Sequence, residues 1–114
     1  MAKIIEQDQW AEQPGRWHGE WQGGASGAGI SVIFVSLDEP GGGPRLHWHP
    51  YPETFIVRKG SALFTVGSQQ IMASAGQMIV VPANTPHKFT NPGPGPLETT
   101  DIHANGTFIT EWLE

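Results

Sequence analysis

The chain has 114 residues, a formal charge of -5, no cysteine and no basic run. That length suits one domain with one core. The lack of cysteine excludes disulfides, thiolate zinc sites and iron–sulfur clusters, and the acidic balance argues against nucleic acid as a partner. No apolar run approaches the ~20 residues of a membrane span, and Met1-Ala2-Lys3-Ile4-Ile5-Glu6 turns polar too early for a signal peptide, so no membrane association and a cytoplasmic location are expected.

Residues 1–29 read as an N-terminal arm or short strand. Trp10, Trp17 and Trp21 punctuate a polar, glycine-rich stretch, and indoles suit a surface that is apolar on one side and wet on the other. The arm is expected to pack on the barrel edge or on a dimer partner, with His18 structural or exposed rather than a ligand. Residues 30–114 read as a single domain of short strands. Ile30 to Leu37 is β-branched and apolar, hence a strand. After the break Glu39-Pro40-Gly41-Gly42-Gly43-Pro44, strands are predicted at 45–49, 54–58, 61–66, 70–73, 77–81, 87–90, 97–103 and 108–113. Lys59-Gly60, Gly67-Ser68, Ala75-Gly76 and Asn105-Gly106 supply the turns or hinges between them. No segment shows helical periodicity. Frequent short strands with turns between them predict an all-β sandwich or barrel.

One stretch carries chemistry. His47-Trp48-His49-Pro50-Tyr51-Pro52-Glu53 offers two imidazoles and a carboxylate. Alternate residues of a strand share a face, so His47 and His49 can look into one cavity. Pro50 favours extended backbone at His49. A further candidate ligand, His87, follows Pro82-Ala83-Asn84-Thr85-Pro86. Three neutral imidazoles and one carboxylate suit a divalent first-row metal.

The spacing of these residues is more telling than their types. Gly41, His47, His49, Glu53 and Gly60 form one pattern over residues 41–60; Gly76, Pro82, Asn84, His87 and Asn91 form a second over residues 76–91. Together they resemble the two signature motifs of the cupin superfamily, in a small single-domain member. Asn84 stands where that family usually has glycine, a mild departure because asparagine tolerates left-handed backbone. The resemblance implies a jelly-roll β-barrel with His47, His49, Glu53 and His87 converging on one divalent transition metal (Fe, Mn, Ni, Zn, Co or Cu) inside it. It also implies coordination positions left open to water or substrate. Gly60, Gly76, Pro82 and Asn91 are expected to fix turns.

Parity nominates pocket residues. Phe55 and Val57 share a face with Glu53, and Phe89 shares one with His87, so these three are candidate apolar walls. Arg45 faces the cavity if it continues the strand of His47, where it would hold a carboxylate or phosphate; just after Pro44, it otherwise lies at the mouth in solvent. Thr99, Asp101 and His103 alternate along a late strand, and one of them is a candidate partner for the metal ligands or a proton-transfer group.

For function, an open metal site suits a metal-dependent enzyme acting on a small organic acid or carbonyl compound. The resemblance does not choose among the dioxygenases, decarboxylases, lyases and sugar isomerases of that family; three histidines and one glutamate with apolar walls leave a dioxygenase slightly favoured. Cupin-type lyases acting on dimethylsulfoniopropionate place a tyrosine two residues after the glutamate, and this chain has Phe55 there. The alternative readings are a non-catalytic small-molecule binding or sensor module with a bound metal, and a domain kept for its stable barrel. The Trp-rich start and the run Phe108-Ile109-Thr110-Glu111-Trp112-Leu113 leave large apolar residues at the chain ends, from which a homodimer is expected.

Overall fold

The computed structural model describes the whole chain, Met1–Glu114. Its strands are β1 (Gly19–Gln22), β2 (Ser31–Leu37), β3 (His47–Trp48), β4 (Glu53–Lys59), β5 (Ser61–Val66), β6 (Gln69–Ser74), β7 (Met78–Val81), β8 (His87–Thr90), β9 (Leu97–His103) and β10 (Glu111–Trp112). The helical pieces are two single 3-10 turns, Gln7–Gln9 and Gly24–Ser26, and no helix is long and apolar enough to cross a membrane. Two antiparallel five-stranded sheets, ordered β1-β2-β9-β4-β7 and β10-β3-β8-β5-β6, form the walls of a jelly-roll barrel.

The alternation of buried and less buried residues follows the pleat. Along β9, Leu97, Thr99, Asp101 and His103 are buried and Glu98, Thr100 and Ile102 are half-buried. Along β4, Glu53, Phe55 and Val57 point inward. One end of the interior is filled by a core of Val35, Phe55, Val57, Ala62, Phe64, Ala73, Val81, Phe89 and Leu97. Within it, the Phe64 ring centroid lies 5.0 Å from that of Phe55 and 5.3 Å from that of Phe89. Full burial of each such side chain contributes roughly 1.5–3 kcal/mol. Phe55 and Phe89 belong both to this core and to the wall of the hollow above it.

Residues 1–29 lie against the barrel. β1 pairs with β2 from Gly19↔Phe34 to Gln22↔Ser31. Trp10 stacks on Phe34 at 3.7 Å between ring centroids, and Trp17 meets the same ring edge-on at 5.0 Å. The guanidinium of Arg58 covers Trp17 at 3.8 Å. Two of the three N-terminal indoles are thus covered by the chain itself.

Two expected strands are shorter than their sequence suggests. The run 108–113 keeps only Glu111–Trp112 as strand, because the Phe108 N–H donates to Gln22 Oε1 and the Ile109 N–H to Tyr51 Oη, not to a ladder. The run 45–49 keeps only His47–Trp48. Turn chemistry is as the motifs require. Asn84 adopts φ 60°, the left-handed conformation asparagine tolerates. Gly60 sits at φ 78°, and a β-carbon there would lie 2.2 Å from the Pro96 carbonyl oxygen. Asn91, 1% exposed, donates through Nδ2 to the carbonyls of Leu37, Glu39 and Gly95 and accepts from the Gly93 N–H.

Candidate metal centre

β3 lies between β10 and β8, with His47 directly opposite both Trp112 and His87. Pro50 ends β3, and the chain crosses to the other sheet, where Glu53 opens β4. The turn at Asn84 returns the chain to His49: the Asn84 N–H donates to the His49 carbonyl at 2.7 Å. That link brings the far motif back against the near one. One ligand atom from each of His47, His49, Glu53 and His87 lies within 4.8 Å of all the others, and all four residues are buried.

The chain fixes the tautomers of these imidazoles. Nδ1 of His47 is 2.6 Å from the Arg45 carbonyl, Nδ1 of His49 is 2.8 Å from the Ile109 carbonyl, and Nδ1 of His87 is 2.8 Å from the Thr85 carbonyl. A carbonyl only accepts, so each Nδ1 carries a proton and, in the neutral ring, leaves its Nε2 lone pair for a metal; without one, His87 Nε2 is hydrogen-bonded to Glu53 Oε1. Carbonyl partners of this kind orient metal-binding histidines and raise their basicity. His87 Nε2 and His49 Nε2 lie 3.0 and 3.1 Å from Glu53 Oε1. His49 Nε2 is nevertheless out of line for a hydrogen bond, a buried nitrogen with no partner. Such a nitrogen, beside a carboxylate and two further lone pairs, fits a divalent cation and has no other evident use.

Electrostatics point the same way. Burial lowers the His47 pKa to about 4, outweighing the opposing pull of the Arg45 carbonyl, with His87 and His49 adding to the shift. The ring is therefore neutral at pH 7 and free to ligate. Burial by itself would push Glu53 up, but the surrounding imidazoles of His103, His49 and His87 prevail and hold its carboxyl well below the usual range. It is an anion in place for a cation.

Two residues beyond the motif set belong to the same cluster. His103 stands opposite Glu53 across the β4–β9 ladder, with Nε2 3.0 Å from Glu53 Oε2 and Nδ1 2.7 Å from Tyr51 Oη. Tyr51, in the bend between β3 and β4, is buried and stacks on His49 with centroids 5.1 Å apart. Its oxygen accepts the Ile109 N–H at 3.2 Å and shares a hydrogen bond with His103 Nδ1, while His103 Nε2, like that of His49, is a buried nitrogen facing Glu53 without a hydrogen-bond partner. His103 was foreshadowed by its alternation with Thr99 and Asp101. Tyr51 had no sequence signal, since its position depends on the far C-terminal segment.

A cavity of about 540 Å³ opens onto this cluster. His47, His49, Glu53 and His103 border it, together with apolar walls that include Ile33, Val35, Leu37, Phe55, Phe89, Phe108 and Trp112. Of the nominated pocket residues, Phe55 and Phe89 line it. Val57 does not: it lies one pleat deeper, 1% exposed in the core. Arg45 does not either. It is exposed ahead of β3, its guanidinium 4.9 Å over the outer Trp112 ring, because Pro44 ends the loop before the strand begins. His18 reaches the cavity wall, but its Nδ1 is engaged by the Ser36 N–H at 3.0 Å.

Comparison with known proteins now has a site to refer to. The cupin domain model matches residues 34–103, which is more than half of the chain and spans all four ligands. The chain belongs to the cupin family. This cupin is 36% identical over 67 residues to a mannose-1-phosphate guanylyltransferase of Salmonella muenchen, a match that spans 59% of the chain and 14% of that relative. Among solved structures it superposes on the Bacillus subtilis oxalate decarboxylase studied for its Mn(II) centres, with TM-score 0.75, 22% identity and coverage of 83% of this chain and 27% of that one. An oxalate oxidase in complex with glycolate gives TM-score 0.67 and 22% identity over 75% of this chain and 46% of that one. The cupin thus spans less than half the length of each of these proteins. At such identities the solved structures speak for the fold. The cofactor this cupin is built to hold is one divalent metal, on His47, His49, Glu53 and His87.

Proposed function

We propose that this cupin is a metal-dependent enzyme acting on a small carbonyl compound or organic acid, with a dioxygenase as the favoured reaction class. The observation that carries this reading is the cavity: about 540 Å³ of space, walled by apolar side chains, beside three buried imidazoles and a carboxylate. A structural metal site is closed by its ligands, whereas a catalytic one keeps room beside it. When bound, the metal supplies Lewis acidity and, as Fe(II), a site for O2 chemistry. The chain's own part is to hold the ligands, to exclude bulk water with Phe55, Phe89 and Phe108, and to orient the guest.

Metal analysis of untagged protein is expected to find close to one transition metal per chain. The Fe(II) form is expected to consume oxygen with at least one member of a panel of 1,3-diketones, thiols and keto acids. Silence across that panel, with tight binding of an unchanged ligand by calorimetry, would replace the enzyme by a metal-assisted sensor. We further propose that the chain works as a homodimer.

A further inference from the structure

The cavity holds an acid that the metal cluster does not use. Asp101 lies mid-strand on β9, 3% exposed, and its carboxyl borders the cavity. The Thr99 hydroxyl donates to Oδ1 at 2.7 Å, while Oδ2 has no hydrogen-bond partner in the protein. In the β4–β9 register Asp101 faces Phe55 and is diagonal to Glu53, a separation of about 7–8 Å between strands. Both carboxyl groups therefore stand on the inner face of one sheet, beside the same hollow.

The groups around Asp101 decide its protonation. No lysine or arginine lines the cavity. The other ionisable groups that border it are Glu53, Glu20, His18, His47, His49 and His103, and the nearest formal charge is the Glu53 carboxylate, of like sign. In the metal-free chain, burial first, and then Glu53, push the Asp101 carboxyl well above its ordinary range, against the pull of the Thr99 hydroxyl; a cation bound to Glu53 would cancel that second cause and leave burial as the one that favours the neutral acid. With Oδ1 accepting from Thr99, the acid proton resides on Oδ2, the free oxygen. A buried carboxylic acid kept neutral is a strong hydrogen-bond donor to an oxygen that carries negative charge.

We propose that Asp101 is a substrate-binding residue that donates a hydrogen bond from Oδ2 to an oxygen of a metal-chelating guest, and that the guest is a neutral or singly charged oxygen chelator with an apolar body. This rests on the proposed metal-dependent function and narrows its substrate class. A dianion such as oxalate would bring a second negative charge to a cavity with three carboxyl groups and no cationic side chain on its lining. A 1,3-dicarbonyl enolate brings one charge, which the metal meets, and hydrocarbon ends that the walls meet.

The test uses Co(II)-loaded protein with acetylacetone and oxalate as probes, read by the cobalt visible spectrum and by calorimetry, so that turnover is not needed. Wild type and Asp101→Asn, whose amide still donates, are expected to bind acetylacetone within about threefold of one another. Asp101→Ala is expected to bind it at least tenfold more weakly while keeping its cobalt. Oxalate is expected to bind wild type more weakly than acetylacetone does. Equal affinity of wild type and Asp101→Ala, or an Asn variant as weak as the Ala variant, would overturn the assignment of Asp101. Tighter binding of oxalate would overturn the guest class. Binding as expected without oxygen consumption by the Fe(II) form would remove the enzyme and leave the assignment standing. Failure of wild type to take up cobalt would remove the metal centre, and this inference with it.

Discussion

At the residue scale the site is a contest between protons and a cation for the same lone pairs. His49 Nε2 is buried beside Glu53 with no hydrogen bond to satisfy it. Replacing it with alanine (His49→Ala) removes one of four ligands without touching the aromatic core. Metal affinity should fall by orders of magnitude while the β-type circular dichroism persists, and metal content by mass spectrometry checks it. Tyr51→Phe is a different case. The hydroxyl holds both the Ile109 N–H and His103 Nδ1, so its loss leaves two buried groups unpaired. A cost of ~1–3 kcal/mol follows, measurable by urea unfolding, with metal content retained because the tyrosine ligates nothing. Asp101 gives a signed pH effect. Its pKa is raised in the folded protein, so above the unfolded value of ~3.9 the unfolded chain has released a proton that the folded chain keeps. Stability attributable to Asp101 therefore falls as pH rises, by about 1.4 kcal/mol per unit until the folded value is reached. In metal-free protein, Asp101→Asn should gain on wild type between pH 5 and 7. A constant difference over that range would contradict the buried neutral acid.

At the element scale, the site exists because two turns return distant strands to one place. Asn84 at φ 60° brings β8 back to β3, and its own N–H donates to the His49 carbonyl. Asn84→Gly should be tolerated within a few tenths of a kcal/mol, while Asn84→Val, β-branched in a left-handed conformation, should cost ~1–2 kcal/mol. Comparison of the two variants by thermal unfolding separates backbone conformation from loss of the side chain. This turn was legible in the sequence because motif spacing fixes where φ must be positive. β9 was legible too, residue for residue, because the proline- and glycine-rich loop 91–96 marks its start and Asn105-Gly106 follows its end. The C-terminal segment was not. Phe108 and Ile109 look like strand residues, but their N–H groups are taken by Gln22 and Tyr51, and a pairing between a backbone and a distant side chain leaves no periodic trace. The same segment supplies the Ile109 carbonyl that sets the His49 tautomer, so part of the metal centre was hidden with it. Arg45 shows where parity stops deciding. Its parity with His47 holds only if the strand starts early, and element boundaries are what local pattern specifies least.

At the scale of the whole molecule, the proposed homodimer needs a face that can meet a second copy. The expectation of a dimer drew on the tryptophans at the chain start and on the terminal run 108–113; of the former, Trp10 and Trp17 are covered by Phe34 and Arg58 of the same chain. The stronger ground lies elsewhere. β7 is the last strand of its sheet, and it turns Met78 and Val80 outward, each 65% exposed, with Met72 of β6 at 54%. An edge strand carrying large apolar side chains and no charge invites pairing, and monomeric proteins usually blunt such edges with lysine or proline. Ile109, Trp112 and Leu113, about half exposed, form a second apolar group on the C-terminal segment. A dimer across the β7 edge would be sensitive to Val80→Lys, which places a charge on the outward face and leaves Val81 and the core untouched. Sedimentation equilibrium at micromolar concentration should give twice the 12.4 kDa chain mass for wild type and the single mass for the variant. A dimer that survives Val80→Lys but dissociates in Trp112→Glu would move the interface to the C-terminal segment. That segment carries Ile109, so dissociation there should also weaken the hold on His49, and metal affinity would then depend on protein concentration.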